Sequence, residues 1–128
     1  MVRPPAKELT QRELEVMHVF WKSGELAATE ARESLAAAGV DRAYVTVANL
    51  VRILVDKGFL EPVNDQRPFR YRPVRTFDEV SGNLVGDLLK RVFRGSREEL
   101  LVKVLDSRKK LTAKERELLQ QILEEQNQ

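Results

Sequence analysis

Hydrophobic spacing along the chain switches from a helical period to a strand period and back. Thr10, with Glu13 three residues on, forms a capping box. Leu14, Met17, Phe20 and Trp21 then recur at helical spacing, with His18 placed on the same inner face. Lys22-Ser23-Gly24 supplies a basic last turn and a glycine stop. A second helix is predicted over about residues 28–38, with Ala31, Leu35 and Ala38 inside and Gly39 as its stop. A third covers about residues 44–57, with Val47, Leu50, Val51, Leu54 and Val55 inside, and ends at Gly58. Two helices joined this tightly suggest a helix-turn-helix. Phe59-Leu60-Glu61-Pro62-Val63 then reads as an extended segment, and Pro62 assigns it to a sheet edge. After turn chemistry at residues 64–68, Phe69-Arg70-Tyr71-Arg72 alternates aromatic and basic residues with period two. That pattern makes a half-buried strand with arginines on its wet face. Three helices followed by a β-hairpin is the winged-helix order.

The remainder is helical and unusually rich in leucine. Thr76 or Asp78 is placed to cap a long helix to about residue 93, carrying Leu84, Leu88, Leu89, Val92 and Phe93. Ser96 and Glu99 form a second capping box before Leu100, Leu101, Val104 and Leu105. Thr112 and Glu115 form a third before Leu118, Leu119, Ile122 and Leu123, with Glu124 to Gln128 expected to fray. A unit of about 50 residues cannot bury all these side chains alone. Pairing with the same segment of a second chain buries them, so these thirteen apolar residues are the expected dimerisation surface of a two-fold homodimer. The predicted class is therefore mainly α with a small β-hairpin: a winged helix-turn-helix over residues 1–75 plus a C-terminal helical dimerisation region over residues 76–128.

Composition narrows the function. Of 128 residues, 42% are hydrophobic and 33% charged, too apolar for disorder and too charged for a membrane protein. Apolar runs are far shorter than the roughly 20 residues a membrane span needs. Met1-Val2-Arg3-Pro4-Pro5 leads into charged sequence, unlike an export signal, so a cytoplasmic location is expected. There is no cysteine and one histidine, so thiolate chemistry is excluded and a metal site or other cofactor is not expected. No HExxH, glycine-rich phosphate loop or GxSxG is present, which argues for a binding protein over an enzyme.

The formal net charge of +2 hides a gradient. Residues 1–39 sum to −1, residues 40–75 to +3 and residues 76–128 to 0. Arg67, Arg70, Arg72 and Arg75 fall within nine residues that contain no acid. In a helix-turn-helix the start of the second helix faces base edges in the major groove. Tyr44, Val45, Thr46, Ala48, Asn49 and Arg52 occupy those outer positions here. Asn49 suits adenine, Arg52 guanine or phosphate, and Tyr44 and Thr46 phosphate or a thymine methyl. Arg42, Arg67, Arg70 and Arg72 are the expected phosphate contacts of the turn and wing. The competing reading is a winged-helix module that binds another protein and no DNA. The acid-free arginine hairpin favours double-stranded DNA.

The order of these motifs resembles a known family. Leu9-Thr10-x-x-Glu13-Leu14-Glu15-Val16-Met17 with Trp21-x-x-Gly24-Glu25-Leu26 is similar to the opening of the penicillinase-repressor (BlaI/MecI/CopY) family. Thr46-Val47-x-x-Leu50 and Leu54-Val55-Asp56-Lys57-Gly58-Phe59-Leu60 resemble its recognition helix and exit. Arg67-x-Phe69-x-Tyr71-x-Pro73 resembles its wing, and Leu111-Thr112-x-x-Glu115-x-x-x-Leu119 its last helix. The resemblance implies a dimeric winged-helix repressor on a palindromic operator, and in one branch a sensor protease that inactivates it. Departures are equally specific. Ala27 and Ala43 stand where the family has hydroxyl caps, leaving Asp41 as the candidate cap for the third helix. Ile53 replaces an arginine and Gln66 a wing glycine. Lys103-Val104 stands at the family's cleavage bond, and the cysteine pairs of the copper branch are missing.

Overall fold

The computed structural model describes residues 8–128; the opening segment Met1 to Pro5, expected not to be an export signal, lies outside the described residues. The element order is α1 (Gln11–Ser23), β1 (Leu26–Ala27), α2 (Ala28–Ala37), α3 (Tyr44–Asp56), β2 (Leu60–Pro62), β3 (Arg70–Pro73), α4 (Phe77–Arg91), α5 (Arg97–Val104) and α6 (Ala113–Gln126). The chain divides into two compact units, the first running through Gly82 and the second from Asn83.

In the first unit, α1, α2 and α3 pack around one core. Val16, Met17, Phe20, Ala31, Leu35, Val47, Val51 and Leu54 are almost wholly excluded from solvent, and Leu60 and Val80 join them. α1 starts as expected: the Thr10 hydroxyl accepts from the Glu13 amide, and the Thr10 amide donates to the Glu13 carboxylate at 3.0 Å. That carboxylate also holds Lys57 Nζ at 2.7 Å and is only 4% exposed, so one residue starts α1 and ties it to the end of α3. Gly24 leaves the helix at φ +87°, a backbone conformation that side chains resist.

Several expectations change. His18 is exposed, because the buried stripe of α1 is Glu13, Val16, Met17 and Phe20, and position 18 falls outside that arc. Trp21 is half-buried rather than core. The hairpin is part of a three-stranded sheet in the order β1-β3-β2, with Leu26 opposite Tyr71 and Ala27 opposite Arg70. Asp41 does not cap α3; no side chain does. α2 keeps half a capping box: Ala27 has no acceptor to offer, but its amide donates to Glu30 at 2.8 Å. α6 extends through Gln126.

In the second unit, Ser96 caps α5 through the Glu99 amide, and Thr112 and Glu115 close a full capping box on α6. Arg94 (φ +53°) and Gly95 (φ +84°) turn the chain between α4 and α5. No residue from Asn83 to Gln128 is buried. Leu84, Leu88, Val92, Leu101, Val104, Leu105, Leu118, Ile122 and Leu123 are exposed, Val92 by 64%. Leu89, Phe93, Leu100 and Leu119 are half-buried.

Candidate nucleic-acid interface

α3 is amphipathic in the way a reading helix needs. Val47, Leu50, Val51 and Leu54 anchor its inner face. Tyr44, Val45 (66% exposed), Asn49 and Arg52 project outward, while Thr46 and Ala48 are half-buried at the edge of that face. These six positions fall on one arc because they recur at helical spacing. Arg52 makes no ion pair among the described residues, and no acid interrupts the arc before Asp56. With no side-chain cap, the first amides of α3 stay available to an outside acceptor, where the helix dipole favours negative charge.

The wing is organised by Asn64, whose part went unseen in the sequence beyond its turn propensity. Its Nδ2 donates to the Gln66 and Pro68 carbonyls, and its Oδ1 accepts from the Arg70 amide at 2.9 Å. This closes the loop that carries Arg67, whose guanidinium lies 5.9 Å from the Phe69 ring centroid and is otherwise free to reach outward. Arg72 is exposed and paired with Glu61 at 2.6 Å.

The other two expected phosphate contacts lead inward. Arg42 is held by Glu15 at 2.8 Å, and its carbonyl accepts from Arg32 Nε, so it fastens the α2–α3 turn to α1. Arg70 donates from Nε to Glu25 Oε2 (2.7 Å), from Nη1 to Glu30 Oε1 (2.9 Å) and from Nη2 to the Glu25 carbonyl (3.2 Å). The arginine run is acid-free in sequence but not in space. Arg75, the fourth member, stacks 5.6 Å from the Phe59 centroid, and its carbonyl accepts from Trp21 Nε1 at 2.9 Å. Trp21 in turn meets His18 and Phe77 edge-on, each at 5.3 Å between centroids, and His18 and Phe77 lie tilted at 6.0 Å from one another.

Two carboxylates are tuned by this framework. The Ala27 amide, with Arg70 adding to it, lowers the Glu30 carboxyl below its ordinary value of 4.5. The Thr76 amide lowers Glu79 in the same way at the start of α4. A carboxyl depressed by folding contributes stability that is complete above its unfolded value and is lost as pH falls through the depressed one. The melting temperature is therefore expected to hold between about pH 7 and 5 and to drop below about pH 4.5. Replacing both residues by glutamine should flatten that drop in thermal melts; an unchanged acid limb would show that other carboxylates control it.

Among the described residues no cluster of His, Asp or Glu is arranged to hold a metal ion, and no helix is long and apolar enough to cross a membrane. No curated protein sequence matches the chain. Among solved structures, the DNA-binding domain of the repressor BlaI is similar, with a TM-score of 0.50 and 26% identity over 62% of this chain and 93% of that one. RosR of H. salinarum shares the fold, with a TM-score of 0.52 and 16% identity over 95% of this chain and 96% of its own. A ferric uptake regulator from Francisella tularensis gives a TM-score of 0.48 and 18% identity over 57% of this chain, and the chain spans 58% of its length. The fold is thus that of winged-helix regulators, as the sequence pattern predicts. Residues 9–125 match the penicillinase repressor family, a family of transcription regulators rather than enzymes, and the chain belongs to it.

Proposed function

We propose that the protein is a sequence-specific DNA-binding transcriptional repressor that acts as a homodimer on a palindromic operator. The outer face of α3 carries this reading: an exposed, acid-free arc of Tyr44, Val45, Asn49 and Arg52 on a rigidly anchored helix, packed beside the strand that leads into the wing. In this reading Asn49 and Arg52 contact base edges, Tyr44, Thr46 and Ala48 contact the neighbouring backbone or thymine methyls, and Arg67 and Arg72 reach phosphates from the wing. Two copies joined by their leucine-rich helices place two such faces on half-sites about 10 bp apart or a multiple of that. Family membership and the likeness to the BlaI DNA-binding domain support the same reading.

The test is a gel-shift series on duplexes selected from a random pool and on the region upstream of the gene. Affinity is expected to fall linearly on a log–log plot against salt, with a slope near −0.9 per phosphate neutralised. Asn49→Ala should cost about 1–3 kcal/mol on the selected sequence and relax the preference at one base position per half-site. Absence of a shift at low salt, or a shift indifferent to salt, would overturn the proposal and favour a protein partner for α3.

A further inference from the structure

We infer that Arg70 is a positioning residue for the DNA-binding surface: it clamps the wing to the corner between β1 and α2, and does not itself hold phosphate. The inference rests on the DNA-binding reading above and assigns Arg70 a different part from the one its place in a basic hairpin suggests. β1 is two residues long and meets β3 through only two residue pairs, Leu26 with Tyr71 and Ala27 with Arg70. So short a ladder leaves the position of the wing weakly specified unless side chains add to it. Arg70 stands directly opposite Ala27, and three of its five N–H donors are directed at the β1–α2 corner.

Glu30 Oε1 makes the clamp a junction. The same oxygen accepts from Nη1 of Arg70 at 2.9 Å and from the Ala27 amide at 2.8 Å. One carboxylate therefore joins the end of β1, the first turn of α2 and the start of β3. The local charge also argues against phosphate. Two carboxylates, Glu25 and Glu30, surround one guanidinium, so the cluster is net negative and repels an approaching anion. Arg67, in the wing loop, has no ion-pair partner among the described residues. The Arg70 side chain is 37% exposed, and ion pairs this accessible add little to overall stability. Its effect therefore falls on where the wing sits, while the helical core maintains the fold.

Binding to a duplex selected with the wild-type full chain, followed by fluorescence anisotropy over a potassium chloride series, separates the two roles. Arg70→Ala and the double variant Glu25→Gln/Glu30→Gln should each bind about tenfold more weakly, the worth of one lost charge-assisted contact at the wing, with the salt slope falling equally in both, because the displaced wing gives up its own phosphate contact whichever side of the clamp is removed. Glutamine keeps an oxygen for the Ala27 amide, so the start of α2 is retained in the double variant. Arg70→Lys should not restore affinity, because an ammonium cannot fork to both acids. Hydroxyl-radical protection should disappear at the wing-side backbone, while protection of guanine N7 in the major groove persists. Glu33→Gln, at an exposed position of α2, reports the generic effect of removing a negative charge.

The inference is overturned if Arg70→Ala flattens the slope while the double glutamine variant keeps the wild-type slope, as loss of a phosphate contact made by Arg70 itself would require. It is also overturned if the double glutamine variant binds more tightly than Glu33→Gln, as a released phosphate-binding arginine would, or if both footprints fade together. Should Arg70→Ala fail to fold, the lysine and double glutamine variants decide. A wild-type chain with no salt-dependent binding would instead remove the DNA-binding reading, a result distinct from any of these.

Discussion

A chain ending at Gly82 is expected to sediment as a monomer and to bind an operator duplex about 100- to 10,000-fold more weakly than the full chain, the range set by effective concentration when two linked heads become one. The end point matters. Ending at Arg75, the boundary expected from the order of elements, would remove Val80, which is 6% exposed in the core of the first unit. It would also remove Phe77 from its contacts with Trp21 and His18, and Thr76 from the Glu79 cap. Gly82 keeps all of these and removes only the segment in which no residue is buried. Eleven large apolar side chains of that segment face solvent within one chain, and each apolar Å² removed from water contributes about 25 cal/mol. In the proposed homodimer a second copy would cover them with the same leucines. Sedimentation velocity and anisotropy on both chains check the prediction. A dimeric shortened chain, or affinity within a few-fold of the full chain, would place dimerisation elsewhere.

Local rules made much of this molecule legible. The capping boxes at Thr10–Glu13 and Thr112–Glu115 form as read, because both partners lie within one turn and need no tertiary context. The inner stripe of α3 followed from period alone, whereas that of α1 was read about one position off: Met17 and Phe20 are inside as expected, but Glu13 and Val16 are buried in place of Leu14, His18 and Trp21. Non-local chemistry was hidden. β1 is a strand only because Tyr71 and Arg70 lie opposite it, more than 40 residues later, and two apolar residues before a helix carry no strand signal of their own. The outer face of α3 was legible for the same reason as its inner one. The wing was only half legible: the arginines were visible, but Glu25, Glu30 and Glu61, which occupy two of them, come from the turn before β1, from α2 and from β2. A run without acids in the sequence says nothing about acids supplied across a sheet. Asn64 showed only as turn composition, since its three hydrogen bonds depend on how the whole loop closes.

Phe20→Ala is expected to destabilise the protein by about 3–5 kcal/mol, a large share of the roughly 5–15 kcal/mol that holds a domain together. Phe20 is fully excluded from solvent and is the largest such side chain in the core, between α1 and the helices that carry the reading face. Its loss leaves a cavity in the cluster that also holds Val47 and Leu54 of α3, so DNA binding should fail at temperatures where the wild type still binds. Its neighbour provides the contrast. Trp21 is half-buried, and its ring meets His18 and Phe77 at the surface instead of filling the core. Trp21→Ala removes that contact and the Nε1 bond to the Arg75 carbonyl, which holds the connector between β3 and α4. Trp21→Phe removes the hydrogen bond while keeping an aromatic ring. The expected cost is about 1–2 kcal/mol for alanine and about 1 kcal/mol for phenylalanine. Urea titrations followed by circular dichroism, which need no tryptophan signal, rank the three variants. If Trp21→Ala cost as much as Phe20→Ala, the aromatic cluster on α1 would be part of the core, and the boundary between the inner and outer faces of that helix would have to be redrawn.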